Sequence, residues 1–415
     1  MALMVQSYAM TPTPDVVPEG TGRRRLSPHA ALWLLATILV GFLAASSAPS
    51  PLYALYREAW GFSALTLTVV FSSYAFALLA ALLVFGSLSD FRGRREVVGL
   101  ALMLEIGSVF LFWRADSVGA LLGARALQGL ATGMATSVLS AALIDIDRAH
   151  GALVNSVAPM VGMALGAFGT SMLVQFAPAP TKLVFELLLG LFTVQALAVY
   201  YLPETVVRRP GAWQSLWPRV AIPAQARTTL WQVLPVNTAQ WALGGFYLSL
   251  GPTLARVVTG SPSPLIGGTA IAALVLTAAV AILAVRTRSP HLTSFAATIV
   301  LAIGLGVTLW GIARLSGGAF FIGTVIAGIG FGAGFNGSLR SLVSLASPQE
   351  RGGLMSAFFT LSYLAFSLPA IAAGFAVGQF GLHATALGFG TGLMALTLSA
   401  LALMCRRGAW KQGTA

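Results

Sequence analysis

Charged residues are scarce in this sequence. Only 9% of its 415 residues are charged, whereas 57% are hydrophobic. A soluble protein of this length carries roughly a quarter of its residues as charges, so we expect lipid around most of this chain. The net charge of +12 does not indicate nucleic acid as a partner, because the basic residues recur in short gaps between apolar runs and form no binding stripe.

Cysteine, lysine and histidine are scarce as well, and this excludes several classes of function. Cys405 is the only cysteine, which excludes a disulfide framework and a cysteine-rich metal site. The only lysines, Lys182 and Lys411, lie outside any G-x-x-x-x-G-K-S/T pattern, which excludes an ATP-driven pump. The four histidines are isolated, and no H-E-x-x-H or G-x-S-x-G protease pattern occurs. We therefore expect no enzyme, no metal and no cofactor.

Long apolar runs are what the chain has in abundance. Twelve stretches come near the ~20 residues that cross a bilayer core of ~30 Å, which predicts an all-α, polytopic membrane protein. They lie near residues 31–53, 66–86, 97–114, 118–143, 152–175, 182–202, 229–251, 264–285, 292–313, 317–342, 353–378 and 384–405. With the N-terminus inside, seventeen of the 24 basic residues fall in the even-numbered gaps and the tails, which predicts that both termini are cytoplasmic.

The longest gap between apolar runs divides the twelve spans into two sets of six. Residues 203–228 hold four prolines and four arginines, and we interpret them as a cytoplasmic linker. The linker separates two six-helix bundles, 28–202 and 229–406, whose weak internal repetition is typical of a transporter built from pseudo-symmetric halves. Residues 1–27 and 407–415 are interpreted as cytoplasmic tails, the first of them disordered.

A charged turn joins the second and third spans. It runs from Gly86 to Val97 and holds three arginines, two acids and two glycines. The glycines allow the chain to turn, and the carboxylates and guanidinium groups can form a compact cluster at the membrane surface. We interpret this turn as a cytoplasmic latch. The alternative is a loop whose solvated charges only set the topology.

Charged residues inside the spans are the candidates for chemistry. Arg125 lies several residues inside the fourth span, where a guanidinium costs on the order of 3 kcal/mol, so it must face a partner or a wet cavity. Gln128 lies one helical turn away. Glu105 in the third span has a similar depth and could load and release a proton beside Arg125. The alternatives are a packing role for Arg125 and a structural hydrogen bond for Glu105.

The number of spans and these motifs resemble the major facilitator superfamily (MFS), and the resemblance implies its fold of two six-helix bundles. Five residues of the turn are in register with the family's link motif: Gly86, Asp90, Gly93, Arg94 and Arg95. Phe91 stands where the family has a basic residue. The resemblance implies that Asp90 faces the N-terminus of the eleventh span. It also implies that Arg94 reaches an acid at the inner end of the fourth span, either Asp145 or Asp147.

The fourth and fifth spans are similar to motifs of the proton-coupled drug antiporters in this family. Arg125, Gln128, Gly129 and Gly133 match the fourth-span motif, whose arginine is linked to proton movement. The fifth-span signature is Gly-Pro-x-x-Gly-Gly. Pro159 and Gly162 match it, whereas Ala158 and Met163 do not. With Gly166, the proline and glycine give either a hinge or a flat face for packing.

The family lines its central cavity with spans one, four, seven and ten. In this chain those spans hold aromatic and polar side chains that suit an amphipathic small molecule. The residues predicted to bind substrate are Ser47, Tyr53, Asn237, Gln240, Trp241, Tyr247 and Asn336.

These observations together predict a secondary active transporter of small organic molecules. We expect a monomer in the plasma (inner) membrane that exports its substrate by alternating access, with protons as the coupling ion and the lipid bilayer as its surroundings. The alternatives are a proton-coupled uptake symporter and a non-transporting receptor or scaffold on the same fold.

Overall fold

The computed structural model describes residues 25–218, 220–347 and 349–406, and the regular secondary structure within these ranges is helical. In the first half the helices are α1 (Pro28–Ser47), α2 (Pro49–Trp60), α3 (Ala64–Phe85), α4 (Ser89–Arg92), α5 (Arg94–Arg114), α6 (Val118–Ile146), α7 (Arg148–Phe176) and α8 (Pro180–Val199). In the second half they are α9 (Ala224–Ser249), α10 (Gly251–Thr259), α11 (Pro264–Val285), α12 (Pro290–Ala313), α13 (Gly317–Val343) and α14 (Arg351–Arg406). A 3-10 turn at Gln214–Leu216 lies between the halves. The predicted tails, 1–27 and 407–415, lie outside the described ranges except for residues 25–27.

Serines set where several helices begin. The hydroxyl of Ser63 accepts a hydrogen bond from the N–H of Thr66 at the start of α3, and Ser117 accepts one from Ala120 at the start of α6. These hydroxyls satisfy N–H groups that have no partner within the helix. The ends of the spans therefore follow from local sequence as well as from hydropathy.

Twelve crossings account for these helices. Ten helical segments of the described chain are long and apolar enough to cross a membrane, with α1 and α2 counted as one segment. One of the ten is α14, whose 56 residues are interrupted at Gly381, where φ is 76°, so it supplies two crossings, 351–380 and 382–406. The remaining crossing is α9. Its 26 residues exceed the ~20 that a bilayer needs, but it holds polar side chains such as Gln232, Asn237 and Gln240 and is not among the ten apolar segments. The seventh span begins at Ala224, five residues before the predicted start.

Each half packs around its own apolar core, and two pairs of helices form most of the contact between the halves. α3 lies along the first part of α14, and α7 lies along α11. The rings of Phe71 and Phe366 are 5.1 Å apart in the first contact. At one end of the second contact, the hydroxyl of Ser263 donates to the Gln175 side chain at 2.9 Å. These two contacts are the main surfaces along which the halves meet.

Glycines allow the closest helix approaches within each half. A Cβ at Gly129 of α6 would clash with the carbonyl oxygen of Tyr74 on α3. A Cβ at Gly332 of α13 would clash in the same way with the carbonyl oxygen of Ala278 on α11. In both halves, therefore, a glycine allows a corresponding pair of helices to pack closely.

Candidate functional site

Arg125 of α6 is fully buried and is surrounded by acceptors. Its Nε donates to the hydroxyl of Tyr53 at 2.6 Å. Its Nη1 donates to the carbonyl of Ser46 at 2.8 Å and to Oε1 of Gln128 at 2.7 Å. Gln128 can make this contact because residues three apart lie on the same face of a helix. Arg125 thus draws α1, α2 and α6 together.

Gln128 also connects Arg125 to Glu105 of α5. Its Nε2 donates to Oε1 of Glu105 and to the carbonyl of Ala45, both at 3.1 Å. Glu105 is fully buried, and its Oε2 has no hydrogen-bond partner in the described chain; the same is true of Nη2 of Arg125. The carboxyl and the guanidinium are therefore linked through one amide rather than by a direct ion pair. The three residues predicted for proton coupling meet in one buried site.

Aromatic rings enclose the guanidinium of Arg125. Its Cζ lies 5.5 Å from the ring centre of Tyr53, 5.2 Å from that of Tyr74 and 5.9 Å from that of Phe112. A cation over an aromatic face is attracted to the ring electrons, and more strongly where water is excluded. These rings help to hold the charge in an apolar bundle.

Tyr74 places this buried site next to the second half of the molecule. Its side chain is 6% exposed and packs in one cluster with Tyr363 and Phe366 of α14. The ring of Tyr363 in turn lies 4.9 Å from that of Trp241 on α9. A continuous set of rings therefore runs from Arg125 in the first half to Trp241 in the second.

Trp241 is the centre of a group of half-buried rings from three helices. The group, called the aromatic cluster below, comprises Trp241, Phe335, Phe359, Tyr363 and Phe366. The ring centre of Trp241 lies 4.9 to 6.4 Å from the other four, all at steep angles that are typical of favourable edge-to-face pairs. The indole Nε1 is buried and has no hydrogen-bond partner in the described chain. Sequence reasoning found Trp241 but not its four ring partners.

Three predicted substrate residues of the second half are amides that are largely buried. Asn237 donates to the hydroxyl of Ser362 at 2.9 Å, and no described residue donates to its Oδ1. Gln240 donates to the carbonyl of Gly330 at 3.4 Å. Asn336 is half-buried, and its Oδ1 is buried without a partner in the described chain. These amides retain unused acceptors close to the helices that carry the aromatic cluster.

Three residues predicted to bind substrate lie instead within helix contacts of their own half. The hydroxyl of Ser47 donates to the carbonyl of Met163 at 2.9 Å, between α1 and α7. Tyr247 bonds Thr324 at 2.6 Å, between α9 and α13. Tyr53 belongs to the Arg125 site. All three are 3% exposed or less, so none of them lines an open surface in this structure.

The charged turn folds around Arg94. Its Nη1 donates to Asp90 at 2.5 Å and to the hydroxyl of Ser89 at 2.6 Å. Its Nε donates to Asp145 of α6 at 3.0 Å. Of the two acids that the resemblance offered, Asp145 is the one that Arg94 contacts. These charge-assisted bonds tie α4, α5 and α6 together at one end of the bundle.

Glu204, in the linker after α8, completes this network and was missed by sequence reasoning. Its carboxylate accepts from the backbone N–H groups of Arg94 at 2.8 Å and Arg95 at 3.2 Å, which are the first N–H groups of α5. Gly93, with φ of 101°, precedes them, and a Cβ there would meet the Glu204 carboxylate. The carboxylate caps a helix N-terminus, where negative charge is favoured. Gly86 ends α3 just before this turn.

Asp147 and Asp90, the other two acids named for this turn, have the following partners in this structure. Asp147 does not contact Arg94. It caps α7 by accepting from the N–H groups of Ala149 and His150, both at 2.9 Å, and these bonds and the His150 ring hold the pKa of Asp147 below its usual range. Within the described chain the only ion pair of Asp90 is with Arg94, and its position at the N-terminus of the eleventh span stays a prediction.

The predicted hinge lies where α7 packs on α1. Pro159 is inside α7. A Cβ at Gly162 would clash with the carbonyl oxygen of Val40, and one at Gly166 with that of Ala44. The glycines therefore serve close packing here, and bending at Pro159 stays a prediction.

Comparison with known proteins decides the family. The model of the Major Facilitator Superfamily matches residues 33–370 of this chain. The chain belongs to this superfamily. Among curated proteins no sequence match is found.

Solved structures of MFS transporters have the same fold. A mutant of the nucleoside transporter NupG superposes with a TM-score of 0.72 at 13% identity, covering 91% of this chain and all of that one. NupG itself gives 0.66 at 13% identity, covering 90% of this chain and 99% of that one. The human organic anion transporter MFSD10 (TETRAN) gives 0.60 at 20% identity, covering 91% and 100%. This MFS protein is therefore a multi-pass membrane transporter rather than an enzyme.

Proposed function

We propose that this protein is a proton-coupled transporter that exports small organic molecules by alternating access. One observation carries the proposal, namely that Gln128 bonds both Glu105 and Arg125 in a fully buried site. Ionisable side chains at this depth of a membrane protein are costly, and their retention is typical of proton and ion pathways. The unpartnered Oε2 of Glu105 is where we place the proton.

The mechanism follows from the attraction between the two charges. While the Glu105 carboxyl is charged, it attracts Arg125 through Gln128. Protonation removes this attraction, so Arg125 is held more by Tyr53 and by the rings around it. Because Arg125 lies over the ring of Tyr74, such a change reaches the contact between the halves.

We place the substrate at the aromatic cluster, beside that contact. Rocking of residues 28–202 against 229–406, along α3 with α14 and α7 with α11, would open the cluster to each side of the membrane in turn. A potential of ~100 mV supplies ~2.3 kcal/mol per proton. Each tenfold difference in substrate concentration across the membrane costs ~1.4 kcal/mol, so this energy sustains a concentration ratio of about 50-fold.

The resemblance of α6 to the antiporter motif favours export. Ala158 and Met163, which break the antiporter signature in α7, keep uptake by symport as the alternative. In either direction we propose a monomer in the plasma (inner) membrane, with the linker and both termini in the cytoplasm.

The hydrogen bonds of Arg94 with Ser89, Asp90, Asp145 and Glu204, called the Arg94 network, are the proposed cytoplasmic gate. In this structure its members come from the first half and the linker, which suits a conformer in which the gate has released the second half. Asp90→Asn should favour that released conformer. Spin-label distances between α4 and the start of α14 that match those of the wild type would contradict the gate.

Reconstitution into liposomes with an imposed pH gradient tests the function. NupG is a nucleoside transporter and MFSD10 an organic anion transporter, so uridine and naphthoate are the first compounds to add. A pH-sensitive dye inside the liposomes should report proton movement that depends on the added compound. The absence of any proton movement across the tested pH range would contradict coupling.

Two glutamine variants assign the coupling to the buried acid. Glu105→Gln keeps the shape and an acceptor for Gln128 but cannot exchange a proton, so coupled proton movement should be lost. Glu186→Gln is the matched control, because Glu186 is exposed on α8 and bonds Trp113. Its proton movement should equal that of the wild type. Undiminished, pH-dependent flux in Glu105→Gln would rule out Glu105 as the proton carrier.

A further inference from the structure

The second half of the chain is nearly free of acids. From residue 224 to the C-terminus it has ten basic residues and one acidic residue, Glu350. Glu350 lies in the turn before α14, where it accepts hydrogen bonds from the N–H and hydroxyl of Ser347 at 3.1 and 2.8 Å and from Gln225 at 2.9 Å. The helices α9 to α14, which hold the aromatic cluster and the amides beside it, therefore contain no carboxylate.

The first half offers little to a positively charged ligand either. Glu105 is fully buried in the contact of α5 with α6 and bonds Gln128. The rings of Tyr53 and Tyr74, which could receive a cation, already lie over Arg125. A cation entering between the halves would meet the rings of the aromatic cluster, whose attraction is about 0.5–2 kcal/mol. It would lose its hydration without gaining a counter-charge, which is a larger cost in a low-dielectric site.

Two buried polar atoms, one in the aromatic cluster and one beside it, have no hydrogen-bond partner in the described chain. The buried Nε1 of Trp241 is a donor without an acceptor, and Oδ1 of Asn336 is an acceptor without a donor, within the described chain. A buried polar atom left unpaired costs free energy that a ligand can recover by supplying the missing partner. An indole N–H can be satisfied only by an acceptor such as a carbonyl, a ring nitrogen or a carboxylate.

We propose that the aromatic cluster binds a planar aromatic compound that is uncharged or anionic and carries an acceptor for Trp241, and that it discriminates against organic cations. This inference rests on the proposed function, because it takes the cluster as the substrate site. The rings supply edge and face contacts to a planar ligand, and the basic excess of the second half repels positive charge. In this proposal the second half determines which class of ligand binds, and the first half couples transport to protons.

Three naphthalene compounds that differ mainly in charge test the proposal. Naphthamide is neutral, naphthoate is anionic and naphthylmethylammonium is cationic at neutral pH. Their binding to the purified full chain in lipid nanodiscs can be measured by calorimetry, with no gradient present. We expect naphthamide or naphthoate to bind at least tenfold more tightly than the cation. Equal or tighter binding of the cation, or no binding of all three, would overturn the proposal.

Tryptophan variants show whether that binding occurs at the cluster. Trp241→Phe keeps a ring but removes the N–H, and we expect it to weaken binding of the preferred compound about tenfold, which corresponds to about 1.4 kcal/mol. Trp310→Phe is the control, because Trp310 is 59% exposed on α12. Equal loss in both variants, or loss in neither, would place the binding elsewhere and contradict the proposal.

The equilibrium measurement separates this inference from the proposed function. Charge-selective binding at Trp241 without proton movement in liposomes would contradict coupling and leave the ligand class standing. Proton movement driven only by the cationic compound would support coupling and overturn the ligand class.

Discussion

The fourth and tenth spans, α6 and α13, share a packing device and differ in the chemistry they carry. Gly129 lets α6 press against α3, and Gly332 lets α13 press against α11. Beyond that likeness, α6 brings Arg125 into a buried network with an acid, whereas α13 brings Phe335 to a cluster of rings. Close helix packing has thus been kept in both halves while the side chains have diverged. One half holds buried charge, and the other holds apolar and neutral polar groups.

Arg125→Ala should have the largest effect of the variants that test this difference between the halves. It leaves the Glu105 carboxyl without its nearby cation and several acceptors without a donor, and leaving a buried charge uncompensated costs about 3–5 kcal/mol. Asn237→Ala, in the second half, removes one bond to Ser362 and should cost only about 1 kcal/mol. Thermal unfolding in detergent compares the two variants, and liposome flux should show that Arg125→Ala alone loses its response to the pH gradient. Similar losses of stability would show that the buried charge of the first half does not make it more sensitive to such a substitution.

Alanine at the packing glycines tests the part that the halves share. Gly129→Ala and Gly332→Ala should each destabilise the protein by about 1–3 kcal/mol, because the new Cβ meets a backbone carbonyl that cannot move aside. Gly123→Ala is a matched control in α6, since a Cβ there meets nothing within 4 Å. It should be neutral or stabilise by up to about 1 kcal/mol. If Gly123→Ala lowers the unfolding temperature as much as Gly129→Ala does, close helix packing does not explain the need for glycine at residue 129.

The fold was largely predictable because it depends on quantities that sequence displays. Run length and hydropathy predicted the crossings, and the division into twelve is consistent with the helices. The gap between the last two apolar runs predicted a boundary near Gly381. The sequence did not indicate that the two spans would follow each other as nearly continuous helix. The polarity of α9 shows the limit of this reasoning, since its crossing is evident from its length more than from its composition.

The candidate site was predictable only where its members are neighbours in sequence or share a depth. Arg125 and Gln128 are three residues apart on one helix, and the depth of Glu105 could be judged from the ends of its span. Glu204 lies 110 residues from Arg94, and no local pattern says that the linker folds back to cap α5. The rings around Trp241 come from three helices, so their meeting depends on tertiary packing.

Removal of the Glu204 carboxylate should show how much the linker contributes to the first half. Glu204→Ala leaves the first N–H groups of α5 without their acceptor, which should cost about 0.5–2 kcal/mol. Glu96→Ala is the control, because it removes another acid from the first turn of α5 whose described partner is Arg208, in a solvent-exposed ion pair. That pair is expected to contribute less than about 1 kcal/mol. Unfolding temperatures that fall equally in both variants would mean that the cap adds nothing beyond a surface ion pair.

The smallest expected effect concerns Asp147, which caps α7 beside the charged network. The N–H groups of His150 and Ala149 and the ring of His150 favour its charged form, so its pKa in the folded protein is lowered. A lowered carboxyl pKa adds stability above the usual value of about 3.9, and this stability is lost as the pH falls through the lowered pKa. Asp147→Asn should therefore unfold at a lower temperature than the wild type near neutral pH, with the difference shrinking as the pH is brought below about 4. A difference that stayed constant over this range would show that the cap acts through geometry alone and not through its charge.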